Sequence, residues 1–168
     1  MTLFDAELTK LAAELLERCR AQGLKLAVAE SCTGGLAAGL ITSIAGASDV
    51  FDRGFITYSN DAKMEMIGVP AHVIAQFGAV SEETARLMAE GCLAASRADI
   101  ALGVTGVAGP GGGAPAKPVG LVHIAAARRA GTTTHVRLLL GDQGRERIRL
   151  LSVAEMMKLA LLQAAAAP

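Results

Sequence analysis

The residues of this chain best suited to chemistry sit in short polar segments, each directly after an apolar run. Glu30-Ser31-Cys32-Thr33-Gly34-Gly35 follows Leu24-Lys25-Leu26-Ala27-Val28-Ala29. A hydroxyl on such a strand-to-helix turn can serve as a nucleophile by the logic of a nucleophile elbow, although the G-x-S-x-G pattern is absent. The amides of Thr33, Gly34 and Gly35 would stand at a helix N-terminus, where N–H groups stabilise an oxyanion or hold an anionic substrate. The plainer role for Ser31 or Thr33 is a helix cap. A serine nucleophile needs a base, and His72, His123 and His135 all fall outside the loops after the first three apolar runs. Lys63 lies just past Tyr58-Ser59-Asn60, and a lysine becomes a base when desolvation or a neighbouring cation lowers its pKa. Tyr58, the single tyrosine, ends a strand and could orient that lysine or relay its proton, or simply pack in the core. Ser48, in Gly46-Ala47-Ser48-Asp49, is a second candidate nucleophile whose ordinary role would be to close a turn.

A third segment is built to hold an anion. Thr105-Gly106-Val107-Ala108-Gly109-Pro110-Gly111-Gly112-Gly113 places five glycines in nine positions after the apolar run Ile100-Ala101-Leu102-Gly103-Val104. Successive N–H groups of such a loop form an anion-binding nest, so Gly106, Gly109, Gly111 and Gly112 are expected to cradle a phosphate. Lys117 could bring its ammonium to the same phosphate. Thr105 either caps the loop or donates to substrate. The loop lacks the Gly-Lys-Ser/Thr ending of a Walker A motif and does not open a helix as a dinucleotide fingerprint would, which disfavours ATP-driven phosphoryl transfer.

These segments need elements to position them. Leu8, Leu11, Ala12, Leu15, Leu16 and Cys19 form a helical stripe over residues 3–22, ended by Gly23. Strands are expected over residues 24–29, 52–59, 99–104, 119–127 and 133–140. Helices should cover residues 36–44, a short stretch capped by Asn60-Asp61, a turn from Pro70 to about Phe77, residues 81–96 behind Ser81-Glu82-Glu83-Thr84, and the chain's end from Gly144. Strands alternating with helices predict an α/β fold, a three-layer α/β/α sandwich with a mixed, mainly parallel sheet of about five strands. The short link between the last two strands predicts an antiparallel pair. In such sheets ligands bind at the carboxyl ends of the strands, so the three polar segments should converge on one cleft.

Composition narrows the classes. The 168 residues suit one domain spanning 1–168, with no repeat and no interdomain linker. No apolar stretch approaches the length of a membrane span, and the first residues carry no signal-peptide pattern. Sixteen basic residues balance sixteen acidic ones without aromatic interleaving, so nucleic acid is not an expected partner. Three cysteines without C-x-x-C spacing fit a reducing, cytoplasmic setting, and the histidines lack metal-ligand spacing. The last helix is more apolar than one buried face requires, which points to a homo-oligomer.

Ala29-Glu30-Ser31-Cys32-Thr33-Gly34-Gly35, the segment from Arg53 to Asn60, Gly78-Ala79-Val80-Ser81 and the glycine loop together resemble the CinA C-terminal domain family over nearly the whole chain. Its stand-alone bacterial members, of the PncC type, are nicotinamide-nucleotide amidases. The resemblance implies a serine–lysine amidase without metal or cofactor, which deamidates nicotinamide mononucleotide to nicotinate mononucleotide and ammonia in pyridine nucleotide recycling. Ser31, Ser48, Tyr58, Lys63 and Thr105 match family motif positions, with Ser31 favoured over Ser48 as nucleophile. The family's Gly-Asp-Arg ending appears here as Gly141-Asp142-Gln143-Gly144-Arg145, about two residues longer, and Arg145 or Arg149 takes the arginine's place. The other expectations are a non-catalytic nucleotide-binding module tied to competence or DNA damage, and a hydrolase of a different phosphorylated amide.

Overall fold

The computed structural model describes residues 3–166. Its elements run α1 (Ala6–Gln22), β1 (Leu26–Glu30), α2 (Leu36–Thr42), β2 (Phe51–Ile56), α3 (Asn60–Ile67), α4 (Ala71–Phe77), α5 (Glu82–Ala94), β3 (Ile100–Gly106), β4 (Leu121–Arg128), β5 (Thr134–Leu139) and α6 (Arg145–Ala165). The sheet order is β2-β1-β3-β4-β5. Strand β1 is parallel to β2 and β3, whereas β4 is antiparallel to both β3 and β5. Helices α1, α2 and α6 cover one face and α5, backed by α3 and α4, covers the other. This is the three-layer α/β/α sandwich with a mixed five-stranded sheet that the sequence predicts.

Local chemistry sets the element ends. Asp5 caps α1 by accepting from the Leu8 amide at 2.8 Å, and Gly23 stops it in the left-handed region at φ 66°. Its buried stripe, Leu8, Ala12, Leu15, Leu16 and Cys19, is the one read from the sequence except for Leu11, which is half-buried, each fully buried leucine stabilising the fold by about 1.5–3 kcal/mol. Ser59, rather than Asn60 or Asp61, caps α3 by accepting from the Ala62 amide at 3.0 Å. Strand β2 stops at Ile56, so Tyr58 lies beyond it, and β3 runs two residues further than expected to include Thr105 and Gly106.

The two faces of the sheet differ. Toward α1 and α6 stand Leu26, Val28, Ile100, Leu102, Val104, Val122 and Ile124. Toward α5 the strands present Ala27, Ala29, Ala101, Gly103, Ala125 and Ala127. A Cβ on Gly103 would stand 2.6 Å from the Ala89 nitrogen and 2.7 Å from the Ala85 oxygen, so α5 lies with its backbone against the sheet. On the helix's outer side Gly91 meets the Ile67 carbonyl, which seats α3 equally closely. That close seating brings α3, and Lys63 on it, to the sheet's edge.

Candidate active site

The strand order 2-1-3 reverses direction at β1, and the carboxyl ends of β1, β2 and β3 share one edge. Ser31 follows β1; its amide donates to the Val104 carbonyl at 3.1 Å, which extends the ladder by one residue. Because side chains alternate along a strand, Glu30 points to the α2 side and Ser31 to the α3–α5 side. Thr57, directly after β2, donates its amide to the Glu30 carbonyl at 2.8 Å, and the chain then turns into α3.

Lys63, on the second turn of α3, is 1% exposed. Its Nζ lies 3.1 Å from Ser31 Oγ, 3.0 Å from the Thr57 carbonyl, 3.2 Å from that of Tyr58 and 3.4 Å from that of Ser59. Burial pushes the Lys63 pKa below the ordinary lysine value of 10.5. A neutral amine has two N–H donors and one lone pair. The carbonyls can only accept, so among these four groups only the Ser31 hydroxyl can donate to the lone pair. In that neutral form the geometry aims the serine proton at the lysine. Cys32, beside Ser31, is pushed up to about 11 by burial and stays a thiol at neutral pH.

The turn after Ser31 departs from the expectation that its glycine amides are free. Both Glu30 carboxylate oxygens are taken up by the start of α2: Oε2 accepts from Gly35 and Ala37, each at 3.1 Å, and Oε1 from Ala38 at 2.8 Å. The Gly34 amide donates to the Ser31 carbonyl at 3.1 Å. Gly34 and Gly35 therefore have no free N–H for a ligand, because an internal carboxylate and a tight turn satisfy them first. No backbone acceptor engages the Cys32 and Thr33 amides. Thr33 Oγ1 is the one buried side-chain polar atom among the described residues without a hydrogen-bond partner. Arg149 closes the turn from outside, donating Nε to the Cys32 carbonyl at 3.1 Å and a terminal nitrogen to that of Thr33 at 2.8 Å.

Other expected site residues divide. Tyr58 is 59% exposed and its hydroxyl accepts from Arg145 at 3.0 Å; only its backbone carbonyl meets Lys63. A proton relay through the phenol is thus corrected, since the chain turns outward once β2 ends. Arg145, the first residue of α6, also donates to the Gly109 carbonyl at 2.9 Å and so bridges the glycine loop and Tyr58. Thr105 is buried and donates to the Ala79 carbonyl at 2.7 Å, tying β3 to the loop before α5 rather than offering its proton to a ligand. Lys117 donates to the Phe77 carbonyl at 2.6 Å, which directs its ammonium to the end of α4 and not into the glycine loop. Ser48 lies exposed in a short 3-10 turn before β2. It is at the opposite edge from Ser31, a strand's length of about 17 Å away, and is not brought to Lys63.

Within the glycine loop, Gly106 and Gly109 serve packing: a Cβ there would meet the Leu121 carbonyl oxygen at 2.8 Å and Val119 at 2.7 Å. Gly111 and Gly112 are exposed, Gly111 with open space where a Cβ would stand, and no backbone hydrogen bond engages their amides. Sequence reasoning missed the bonding of Glu30 and left Arg149 undecided. An acidic residue ending a strand just before a Gly-Gly helix start was the available signal. Among the described residues, no cluster of three His, Cys, Asp or Glu side chains could hold a metal ion, and no helix is long and apolar enough to cross a membrane.

An α/β/α sandwich with a serine–lysine pair at the carboxyl edge of its parallel strands defines the class. Residues 8–164 match the CinA C-terminal domain, and the chain belongs to that family. It is 49% identical over 157 residues to a CinA-like protein of an Anaeromyxobacter species, an alignment covering 94% of this chain and 38% of that protein. The chain thus spans less than two-fifths of the length of the curated relatives it matches. Among solved structures, the competence/damage inducible protein CihA of Agrobacterium tumefaciens is 48% identical with a TM-score of 0.96, over 99% of this chain and 100% of that one. The competence damage-inducible protein A (ComA) of Klebsiella pneumoniae is 34% identical with a TM-score of 0.90, over 95% and 99%.

Proposed function

We propose that this chain is a metal-independent serine–lysine amidohydrolase that converts nicotinamide mononucleotide to nicotinate mononucleotide and ammonia. The observation that carries the reading is the buried 3.1 Å contact between Ser31 Oγ and Lys63 Nζ, with carbonyls as the lysine's other partners. Ser31 Oγ attacks the carboxamide carbon as its proton passes to Lys63 Nζ. The Cys32 and Thr33 amides, which no backbone acceptor engages and which directly follow Ser31, are the donors for the oxyanion. Collapse of the tetrahedral species breaks the C–N bond, and Lys63 returns the proton to the departing ammonia. Water, deprotonated by Lys63, then hydrolyses the Ser31 ester. The free amides of Gly111 and Gly112, with Arg145 across the loop, supply the donors for the 5′-phosphate, whose binding energy orients the amide.

The names of the relatives favour a second reading, a non-catalytic nucleotide-binding module associated with competence or DNA damage. Ammonia release from nicotinamide mononucleotide by the purified chain separates the two. The amidase reading expects turnover that is lost in Ser31→Ala, with nicotinamide riboside a far poorer substrate and Arg145→Ala raising KM. Nucleotide binding without ammonia release establishes the second reading.

A further inference from the structure

We propose that Glu30 is a positioning residue for the serine, a carboxylate that sets the Ser31 turn from inside the protein. The inference rests on the serine–lysine reading and adds a residue to it. Glu30 is 0% exposed and sits at the end of β1, flanked by β2 and β3. A carboxylate there is costly unless its lone pairs are used. Three amides from the first turn of α2 use them, on both oxygens. Helix starts leave such N–H groups unpaired, and here the N-cap residue is Gly35, which has no side chain to accept them. The strand's last side chain therefore does the work of a cap from five to eight residues away.

The consequence falls on Ser31. The turn of residues 31–34 is held at its start by the amide bond to Val104, at its far end by Glu30, and from outside by Arg149. With both ends and the outer rim fixed, the Ser31 hydroxyl is left facing Lys63. Glu30 thus fixes the turn that carries the nucleophile.

The test measures Ser31 sulfonylation by phenylmethylsulfonyl fluoride, followed by intact mass on the full chain. The Ser31 Oγ–S bond forms, the S–F bond breaks, fluoride leaves and Lys63 takes the hydroxyl proton. Glu30→Gln keeps the size of the side chain but turns an N–H donor on amides that need an acceptor. It is expected to slow labelling by about tenfold or more with the pH midpoint of labelling unchanged, because the Lys63 surroundings are intact. Glu30→Asp, too short to reach all three amides, should fall between. A folded Glu30→Gln labelling within about threefold of wild type overturns the proposal. If that variant does not fold, Glu30→Asp labelling as fast as wild type overturns it. In the unmodified chain, the Gly35, Ala37 and Ala38 amides should exchange slowly with solvent, and fast exchange at these three also overturns it. If the unmodified chain takes no label while those amides stay protected, the serine–lysine reading fails and the positioning role with it, whereas protection lost alone refutes Glu30 and leaves that reading standing.

Discussion

Replacing Lys63 by methionine isolates the base from the fold. Methionine keeps an unbranched stem of similar length and fills the buried site, while the nitrogen that meets Ser31 and three carbonyls is lost. In its neutral form Lys63 gives two hydrogen bonds to carbonyls, each contributing a net of about 0.5–1.5 kcal/mol. Against that loss stands relief from burying an ionisable group, whose desolvation lowers its pKa. The two oppose each other, and Lys63→Met should shift unfolding free energy by no more than about 2 kcal/mol in either direction. Catalysis has no such offset. Loss of a general base costs about 10²–10⁴ in rate, or about 3–5 kcal/mol of barrier. Ammonia release measured beside urea unfolding separates the two quantities. A folded Lys63→Met with more than about a tenth of wild-type kcat/KM refutes the assignment of Lys63 as base.

Three further outcomes follow from the same structure. Lys63 must be neutral to accept the serine proton, so kcat/KM should rise with pH through its folded pKa, with a midpoint below 10.5, and Lys63→Arg should show no rising limb because arginine stays charged. His123 is pushed down to about 4, first by burial and then by His135, whose Nε2 lies 2.9 Å from its Nδ1. An unfolded His123 takes a proton near pH 6.5 and the folded one does not, so stability is full above that pH. About 3 kcal/mol is lost as pH falls from 6.5 toward 4, a slope that urea titrations should find reduced in His123→Gln. Gly103→Ala should destabilise the fold by about 1–3 kcal/mol or more, because its Cβ meets α5 backbone that cannot step aside; an unchanged unfolding midpoint refutes the close seating of that helix.

Much of the architecture was legible because periodicity reports burial directly. The stripe from Leu8 to Cys19 and the run from Ile100 to Val104 name a helix and a strand without knowledge of their neighbours. The convergence of Ser31 and Lys63 was legible for a related reason, since parallel strands bring their carboxyl ends to one edge. Side-chain direction beyond a strand's end was not. Tyr58 and Lys117 turn away from their expected targets because loop closure, not local pattern, aims them. Glu30 escaped because its three bonds exist only once the turn has closed. The His123–His135 contact needs the register of β4 against β5, which spacing alone does not supply.

The unequal faces of the sheet divide the chain's freedom to drift. On the aliphatic side, leucine, isoleucine, valine and methionine can exchange for one another at small cost as long as total volume is kept. On the alanine-glycine side a single added methyl has nowhere to go, and the same side carries Ser31, Thr105 and, through α3, Lys63. The layer least able to change is the one on which the serine and lysine meet. A lineage, or a laboratory selection for heat resistance, can therefore rewrite half of the interior and leave the distance between those two side chains where it was.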